Sequence, residues 1–192
     1  PPRKPPYMIR FLCASDTCAM RLDLPTTQTR LNAVLDALGV DSWQEVQLEE
    51  CDTAMPEMWA FVDMAHTSME QVNQFAQCLE MLDANGELAA FKAVASQLDI
   101  YKLEDAMALA EHLSEYAFEP SIHSLEDRAR EELALMADGP ELDLLIRNLN
   151  LTAYGADLMY RDRGILSDYG YVHRPDGQPI HLPQQGMDMT MQ

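Results

Sequence analysis

A long central stretch of the chain combines charge of almost one sign with apolar residues at helical spacing, and this limits what the chain can fold into. Residues 31–143 carry 25 acidic and four basic side chains. Between Leu31 and Phe91 there are twelve carboxylates and no Lys or Arg. Acidic stretches are often disordered, but here Leu, Met, Phe, Val and Ala recur every three or four residues, which is typical of amphipathic helices. The sequence therefore predicts a folded, mainly helical segment with an acidic surface.

The rest of the chain does not share this charge. The 192 residues have a formal net charge of −19, yet residues 1–30 have three more basic than acidic groups and residues 144–192 are almost balanced. Soluble surfaces usually mix both signs, which limits self-repulsion. A merely soluble or halophilic surface is one explanation, and an electrostatic role toward a basic partner is the other. Direct binding of DNA or RNA is not expected, because an acidic protein repels phosphate.

Several protein classes are excluded by simple patterns. No run of 18 apolar residues exists, so no membrane contact is expected. The basic start of the chain is not followed by the apolar stretch of a secretory signal. The four cysteines form no C-x-x-C pair, and reduced thiols in a cytoplasmic protein are the simplest interpretation. Pairing of Cys13 with Cys18 on facing strands is the open alternative.

No motif for catalysis is present. The five histidines form neither H-x-x-x-H nor H-E-x-x-H, and there is no phosphate-binding glycine loop or G-x-S-x-G. Adjacent carboxylates such as Glu131 and Glu132 are expected on solvated helix faces, whereas a catalytic pair needs two different environments. We therefore expect no enzyme activity, no cofactor and no metal.

The order of the predicted elements gives an α+β fold of three small subdomains in series. A proline-rich leader, expected to be flexible, precedes a ββαβ unit, a helical middle, an α+β unit with a closing hairpin, and a tail expected to be mobile. The predicted ranges are 1–6 for the leader, 7–55, 56–115 and 116–174 for the subdomains, and 175–192 for the tail.

Three local patterns predict where individual strands and helices lie. Alternation over Trp43–Cys51 predicts a third strand in the first subdomain. Thr67 with Glu70 has the spacing of a capping box and predicts a helix start. Glu104, Glu111 and Glu115 are spaced to share one face of a single helix.

The acidic helices also match the charge spacing of DNA. Asp127 and Glu131 lie about 6 Å apart along a helix axis, close to the phosphate spacing of a nucleic-acid strand. Residues 31–143 have a net charge of −21. This charge corresponds to roughly 36 Å of DNA duplex, or about one helical turn, and a dimer would present about two turns. The sequence therefore suggests a DNA mimic. The candidate phosphate-mimicking carboxylates are Glu45, Glu49, Glu50, Glu104, Asp105, Glu111, Glu115, Glu126, Asp127, Glu131 and Glu132.

The closing part of the chain resembles a known family. LNLTAYGADLMYRDRGILSDYGYVHR, from Leu149 to Arg174, is similar to the last segment of the ArdA-type antirestriction proteins. The phrase Glu87-Leu-x-x-Phe91-Lys92-Ala93 resembles the family's helical middle, and Leu22-Asp23-Leu24-Pro25 falls where its second strand ends. The matching residues of the last segment are Tyr154, Gly155, Asp157, Leu158, Gly170, Tyr171 and Val172.

The resemblance implies an elongated, cytoplasmic, mobile-element-encoded inhibitor, usually a homodimer. Such proteins occupy the DNA-binding groove of type I restriction–modification enzymes as DNA mimics. The alternative left open by the sequence is an acidic inhibitor or adaptor of another DNA-binding protein, such as a CRISPR nuclease or a transcription factor.

Overall fold

The computed structural model describes residues 7–183. The predicted leader at 1–6 and the end of the predicted tail, residues 184–192, lie outside the described residues. Helices and two antiparallel three-stranded sheets alternate along the chain, which confirms the predicted α+β class. In chain order the elements are β1 (Ile9–Ala14), β2 (Ala19–Leu24), α1 (Gln28–Leu38), β3 (Gln47–Thr53), α2 (Met69–Ala84), α3 (Leu88–Ala95), α4 (Leu103–Glu111), β4 (Ala117–Glu119), α5 (Leu125–Met136), α6 (Gly139–Asn148), α7 (Leu151–Asp162), β5 (Ile165–Ser167) and β6 (Gly170–His173).

The contacts divide the chain into two compact units. Among the described residues, unit 1 comprises those from Tyr7 to Leu88 and Ile100–Met107, and unit 2 comprises Ala89–Asp99 and the residues from Ala108 onward. The division into three subdomains stays a prediction.

The sheet of unit 1 has β1 in the centre, with β2 on one side and β3 on the other. Alternate β1 residues Ile9, Phe11 and Cys13 are fully buried, as expected for a strand with one face on the core. Helix α2 contacts β2, and its buried Asn73 side chain makes two hydrogen bonds of 2.8 Å with the backbone of Thr26. This amide therefore attaches α2 to the loop that precedes α1.

The predicted third strand begins later than the alternation suggested. Trp43–Glu45 forms a turn of 3₁₀ helix, and β3 spans Gln47–Thr53. The cause is a capping box, in which the Glu45 carboxylate accepts hydrogen bonds from the backbone N–H groups of Asp41 and Ser42. Alternating polar and apolar side chains cannot reveal such a local hydrogen-bonded turn.

The start of α2 is also displaced by one residue from the prediction. Ser68, not Thr67, is the cap: its hydroxyl accepts from the Gln71 N–H at 3.1 Å. The Gln71 side chain accepts from the Ser68 N–H at 2.9 Å. Ser68 with Gln71 meets the same capping rule as Thr67 with Glu70, so the sequence alone did not distinguish the two frames.

Unit 2 contains the sheet β4–β6–β5 and the closely packed pair of helices α5 and α7. Gly155 is buried in this helix pair, and a β-carbon on it would overlap the Leu125 carbonyl group. Arg128 of α5 is also buried and donates to Asp162 of α7 at 2.8 Å. The predicted hairpin is confirmed as β5 and β6, joined through Ser167, whose hydroxyl donates to the Gly170 carbonyl at 2.7 Å.

The helix that carries Glu104 and Glu111 is shorter than the charge spacing predicted. α4 ends at Glu111, and Leu113–Glu115 forms a separate turn of 3₁₀ helix. The expectation that Glu115 continues the face of Glu104 and Glu111 is therefore wrong. Leu113 and Tyr116 are both buried, and the turn directs both apolar side chains into the core before β4 begins.

Candidate functional site

The candidate site is a set of surface carboxylates, which the structure separates by whether each has a partner. Within residues 7–183, six of the eleven predicted carboxylates make no side-chain hydrogen bond or ion pair. Charge that is not matched by a nearby cation is available to a partner protein. These six are Glu49, Glu50, Glu104, Asp105, Glu111 and Glu131.

Glu49 and Glu50 lie on β3, a strand at the edge of the unit 1 sheet, and both are exposed. Leu12 of β1 pairs with Glu50 and Cys13 pairs with Leu48, so Glu49 is the extra residue of a β-bulge. Glu50 lies on the outer sheet face, because its partner Leu12 also pairs with Arg21. Glu50 therefore shares a sheet face with Arg21 but makes no ion pair with it, whereas Glu49 has no residue opposite it in the sheet.

Glu104, Asp105 and Glu111 lie on α4. Glu104 and Glu111 are exposed and Asp105 is half-buried. Glu104 and Asp105 occupy the first turn of the helix, where carboxylates interact favourably with the helix dipole. Their charge therefore stabilises the helix and still faces solvent.

The carboxylates at the start of α5 are charged and also accept hydrogen bonds that stabilise the fold. The Ser124 hydroxyl caps the helix by accepting from the Asp127 N–H at 3.1 Å, and the Asp127 carboxylate accepts from the His123 N–H at 3.1 Å. The Glu126 carboxylate accepts a hydrogen bond from the Thr152 hydroxyl of α7. Bonding to Ser124 and His123 holds the pKa of Asp127 below its ordinary value, and bonding to Thr152 does the same for the pKa of Glu126. Both groups stay negatively charged under physiological conditions.

Glu45 belongs with these capping carboxylates. Its side chain is exposed, but Oε2 is held by the two backbone N–H groups of its own capping box. Hydrogen bonds from neutral donors leave the charge in place while they fix its position. Glu45 is thus a charged group with a defined direction.

Glu115 is neutralised by an arginine within unit 2. The buried Arg174 donates to Glu115 at 3.1 Å and to Asp176 at 2.7 Å. His112 also contacts Glu115, at 3.0 Å. The guanidinium of Arg174, together with His112, lowers the pKa of Glu115. This carboxylate is the least suitable of the eleven as a free phosphate mimic.

Glu132 is in a second arginine cluster. Arg128 donates to Glu132 at 3.0 Å, and Arg161 of α7 lies 3.5 Å from the same carboxylate. Asp162 completes the cluster by accepting from both arginines, at 2.8 Å and 3.1 Å. The cluster holds α5 against α7, so Glu132 has a structural role.

The chain has further exposed carboxylates outside the eleven predicted residues. They lie on helix positions outside the apolar stripe or in short connections, and an exposure estimate from helical periodicity would have found the helical ones. They include Asp36, Asp41, Glu70, Glu80, Glu87, Asp99, Glu141 and Asp143.

Between residues 7 and 183 no group of three or more His, Cys, Asp or Glu side chains could hold a metal ion. No described helix is long and apolar enough to cross a membrane. All four cysteines are free thiols, and burial raises the pKa of Cys13 to about 11, so Cys13 is a poor nucleophile.

The chain matches the model of a known protein family. A protein-family model described as antirestriction protein (ArdA) matches residues 19–173, which is well over half of the chain. A search of curated proteins gives no match.

Proposed function

The chain belongs to the ArdA family of antirestriction proteins, and on that premise we propose that it inhibits type I restriction–modification enzymes by occupying their DNA-binding groove as a DNA mimic. The action is stoichiometric and needs no catalytic site and no cofactor. The proposal includes a cytoplasmic location, carriage by a mobile element and no direct contact with nucleic acid.

The observation that best supports this proposal is the absence of basic residues from Leu31 to Phe91 in a folded part of the chain. That stretch contains twelve carboxylates and no Lys or Arg, so its formal charge is strongly negative. A protein groove built to bind phosphates would be attracted by the same long-range electrostatics and counterion release that operate on DNA.

The carboxylates are not equivalent in this proposal. The six without partners carry most of the attraction, and Glu45, Glu126 and Asp127 contribute charge in fixed directions. Glu115 and Glu132 contribute least, because each has an arginine within 3.1 Å. The eleven residues therefore form a graded set with unequal expected effects.

We also propose that the protein is a homodimer and that the exposed face of α6 is the contact. No residue of α6 is buried, and Leu144 is 64% exposed. Asp143 and Arg147 are exposed, flank Leu144 and lie one helical turn apart. In an antiparallel contact between two copies, Asp143 of each would face Arg147 of the other, so the face is complementary to itself.

The test is cleavage of unmodified DNA by a purified type I restriction enzyme, with this protein titrated in at low and at moderate salt. Protection close to one protein dimer per groove, with no binding of the protein to DNA, is the expected result. Absence of protection at both salt concentrations would overturn the type I assignment. A CRISPR nuclease or a transcription factor would then be examined in the same way.

A further inference from the structure

A cleft of about 700 Å³ lies in unit 1, between the residues that lead into β3 and those that begin α2. Its volume is in the range of ligand-binding clefts in proteins. The walls are apolar and aromatic in part, with Trp43, Val46, Leu48, Met64 and Met69 among the lining residues.

Apart from the titratable His66, the charged side chains of this cleft and its immediate surroundings are acidic. Every lining residue falls between positions 42 and 71, inside the stretch that contains no Lys or Arg. Glu70 lines the cleft directly. Asp63 lies 2.6 Å from the lining residue His66, and Glu45 accepts from the lining residue Ser42. A concave surface with low-dielectric walls and one sign of charge concentrates the field and attracts the opposite charge.

We propose that this cleft binds a basic segment of the partner protein, anchored by a Lys or Arg side chain. The apolar walls suit the alkyl stem of such a side chain. Trp43 offers an aromatic face for the cation, and Glu70 offers a carboxylate. The inference rests on the proposed function, since the DNA-binding groove of the target enzyme is the source of basic segments. It adds an anchor point whose residues, Trp43 and Glu70, are separate from the eleven phosphate-mimicking carboxylates.

The first test uses the two tryptophans as separate reporters. The Trp59→Phe protein reports on Trp43 alone, and the Trp43→Phe protein reports on Trp59, which does not line the cleft. The probe is a synthetic peptide of alternating Arg and Gly, with Gln in place of Arg in the control peptide. We expect the Arg peptide to change the fluorescence of Trp43 saturably and that of Trp59 little. A response of Trp59 alone, or of neither tryptophan, would overturn the proposal.

A matched pair of charge variants tests the contribution of Glu70. Glu70 and Glu80 are both exposed on α2, but only Glu70 lines the cleft. Glu70→Gln should weaken binding of the Arg peptide about threefold more than Glu80→Gln, the size of a modest ion pair. Equal weakening by both variants would mean that only the net charge matters and would count against the cleft.

The third test separates this inference from the proposed function. Inhibition of the restriction enzyme by the wild-type protein is compared with inhibition by Trp43→Ala, Trp43→Phe and Trp59→Phe. We expect about tenfold weaker inhibition for Trp43→Ala, partial rescue by Trp43→Phe and no change for Trp59→Phe. If the wild-type protein inhibits and all three variants match it, the cleft proposal fails. If the wild-type protein does not inhibit, the proposed function fails and the peptide experiments still decide on the cleft. Thermal unfolding of each variant shows whether it folds. If Trp43→Ala does not fold, inhibition by Glu70→Gln is measured in its place.

Discussion

Gly155 of α7 packs directly on the main chain of α5 at Leu125, with no space for a side chain between them. In an isolated helix, Gly→Ala stabilises by about 1 kcal/mol. Here we expect the opposite sign, because a methyl group at this position would force α5 and α7 apart. We predict that Gly155→Ala lowers the free energy of unfolding by about 2 kcal/mol, as measured by urea denaturation.

The control for this prediction is Ala156→Gly, at the exposed neighbouring position of α7. It should cost only the helix propensity, about 1 kcal/mol. If Gly155→Ala were to stabilise the protein, the close approach of the two helices at Leu125 would be wrong.

The ion pair of Arg128 with Asp162 predicts that the free energy of unfolding falls at acidic pH. Burial raises the pKa of Asp162, but the hydrogen bonds from Arg128 and Arg161 outweigh burial, so its pKa is below the ordinary value. Because the folded-state pKa is lowered, the stability that this group contributes is present above the unfolded pKa, about 4, and is lost as the pH falls below it.

We therefore predict that Asp162→Asn destabilises the protein at neutral pH by about 2 kcal/mol, since it removes one partner of a buried charge. It should also flatten the fall in stability below pH 4. Denaturant unfolding at several pH values measures both effects. Asp157→Asn, which changes an exposed carboxylate of the same helix, should alter neither. A steep acid dependence retained in Asp162→Asn would assign that dependence to other groups.

Arg174 sets the pKa of Asp176, which lies just after the last strand. Its guanidinium and the Gln178 N–H lower the pKa of Asp176 to about 2. Removing the guanidinium by Arg174→Gln should raise the pKa of Asp176 toward its ordinary value of about 4, as measured by NMR titration of the side-chain carboxyl carbon. Arg163→Gln, an exposed arginine whose side chain makes no hydrogen bond or ion pair within residues 7–183, should leave that pKa unchanged. The same Asp176 pKa in both variants would contradict the contact between Arg174 and Asp176.

Neutralising unpaired carboxylates should affect inhibition more than neutralising paired ones. We predict that converting Glu49, Glu50, Glu104 and Asp105 together to amides weakens inhibition strongly and lowers its salt dependence. Each single change should have little effect. Inhibition curves at several salt concentrations measure both quantities.

The control removes two charges that arginines already neutralise, by Glu115→Gln with Glu132→Gln. It should weaken inhibition less than Glu104→Gln with Asp105→Asn, provided that thermal unfolding shows both double variants folded. A single Glu→Lys change that abolishes inhibition in a folded protein would indicate one specific contact and would contradict a collective mechanism.

The proposed α6 contact predicts that a charge at its centre separates the dimer. Leu144→Glu should convert the dimer to a monomer, because four like charges would then crowd the two-fold axis with Asp143. Sedimentation velocity measures the change. Met81→Glu, an equally exposed apolar position of unit 1, should leave the mass unchanged. A dimer that survives Leu144→Glu would exclude this face.

Much of the fold could be predicted because periodicity and capping are local. The order of two strands, a helix and a strand predicted for residues 7–55 is present, and so is the closing hairpin. The errors arose where two local rules competed. Before β3, a capping box formed at Ser42 and Glu45 in a stretch of alternating polar and apolar residues. At the start of α2, both Thr67 with Glu70 and Ser68 with Gln71 had the spacing of a capping box. At Glu111 the helix ended because Leu113 and Tyr116 must reach the core.

The candidate site was less predictable, because its charge balance depends on distant pairs. Arg174 is 59 residues from Glu115 and Arg128 is 34 residues from Asp162. Composition identified the acidic stretch, but only the tertiary contacts distinguish a neutralised carboxylate from a free one. The same holds for the cleft at Trp43, whose two walls are adjacent only after β3 and α2 have formed.

The bulge at Glu49 has a consequence for the handling of charge variants. An edge strand with free backbone groups is a template on which another chain can add a strand, and irregular geometry and surface charge are the usual protections. β3 has both, since Glu49 interrupts the regular register and Glu50 and Asp52 follow it. Removing these charges is therefore expected to promote aggregation, because another chain can then add a strand at this edge. A block variant at this edge should be checked by light scattering before a loss of inhibition is attributed to the partner.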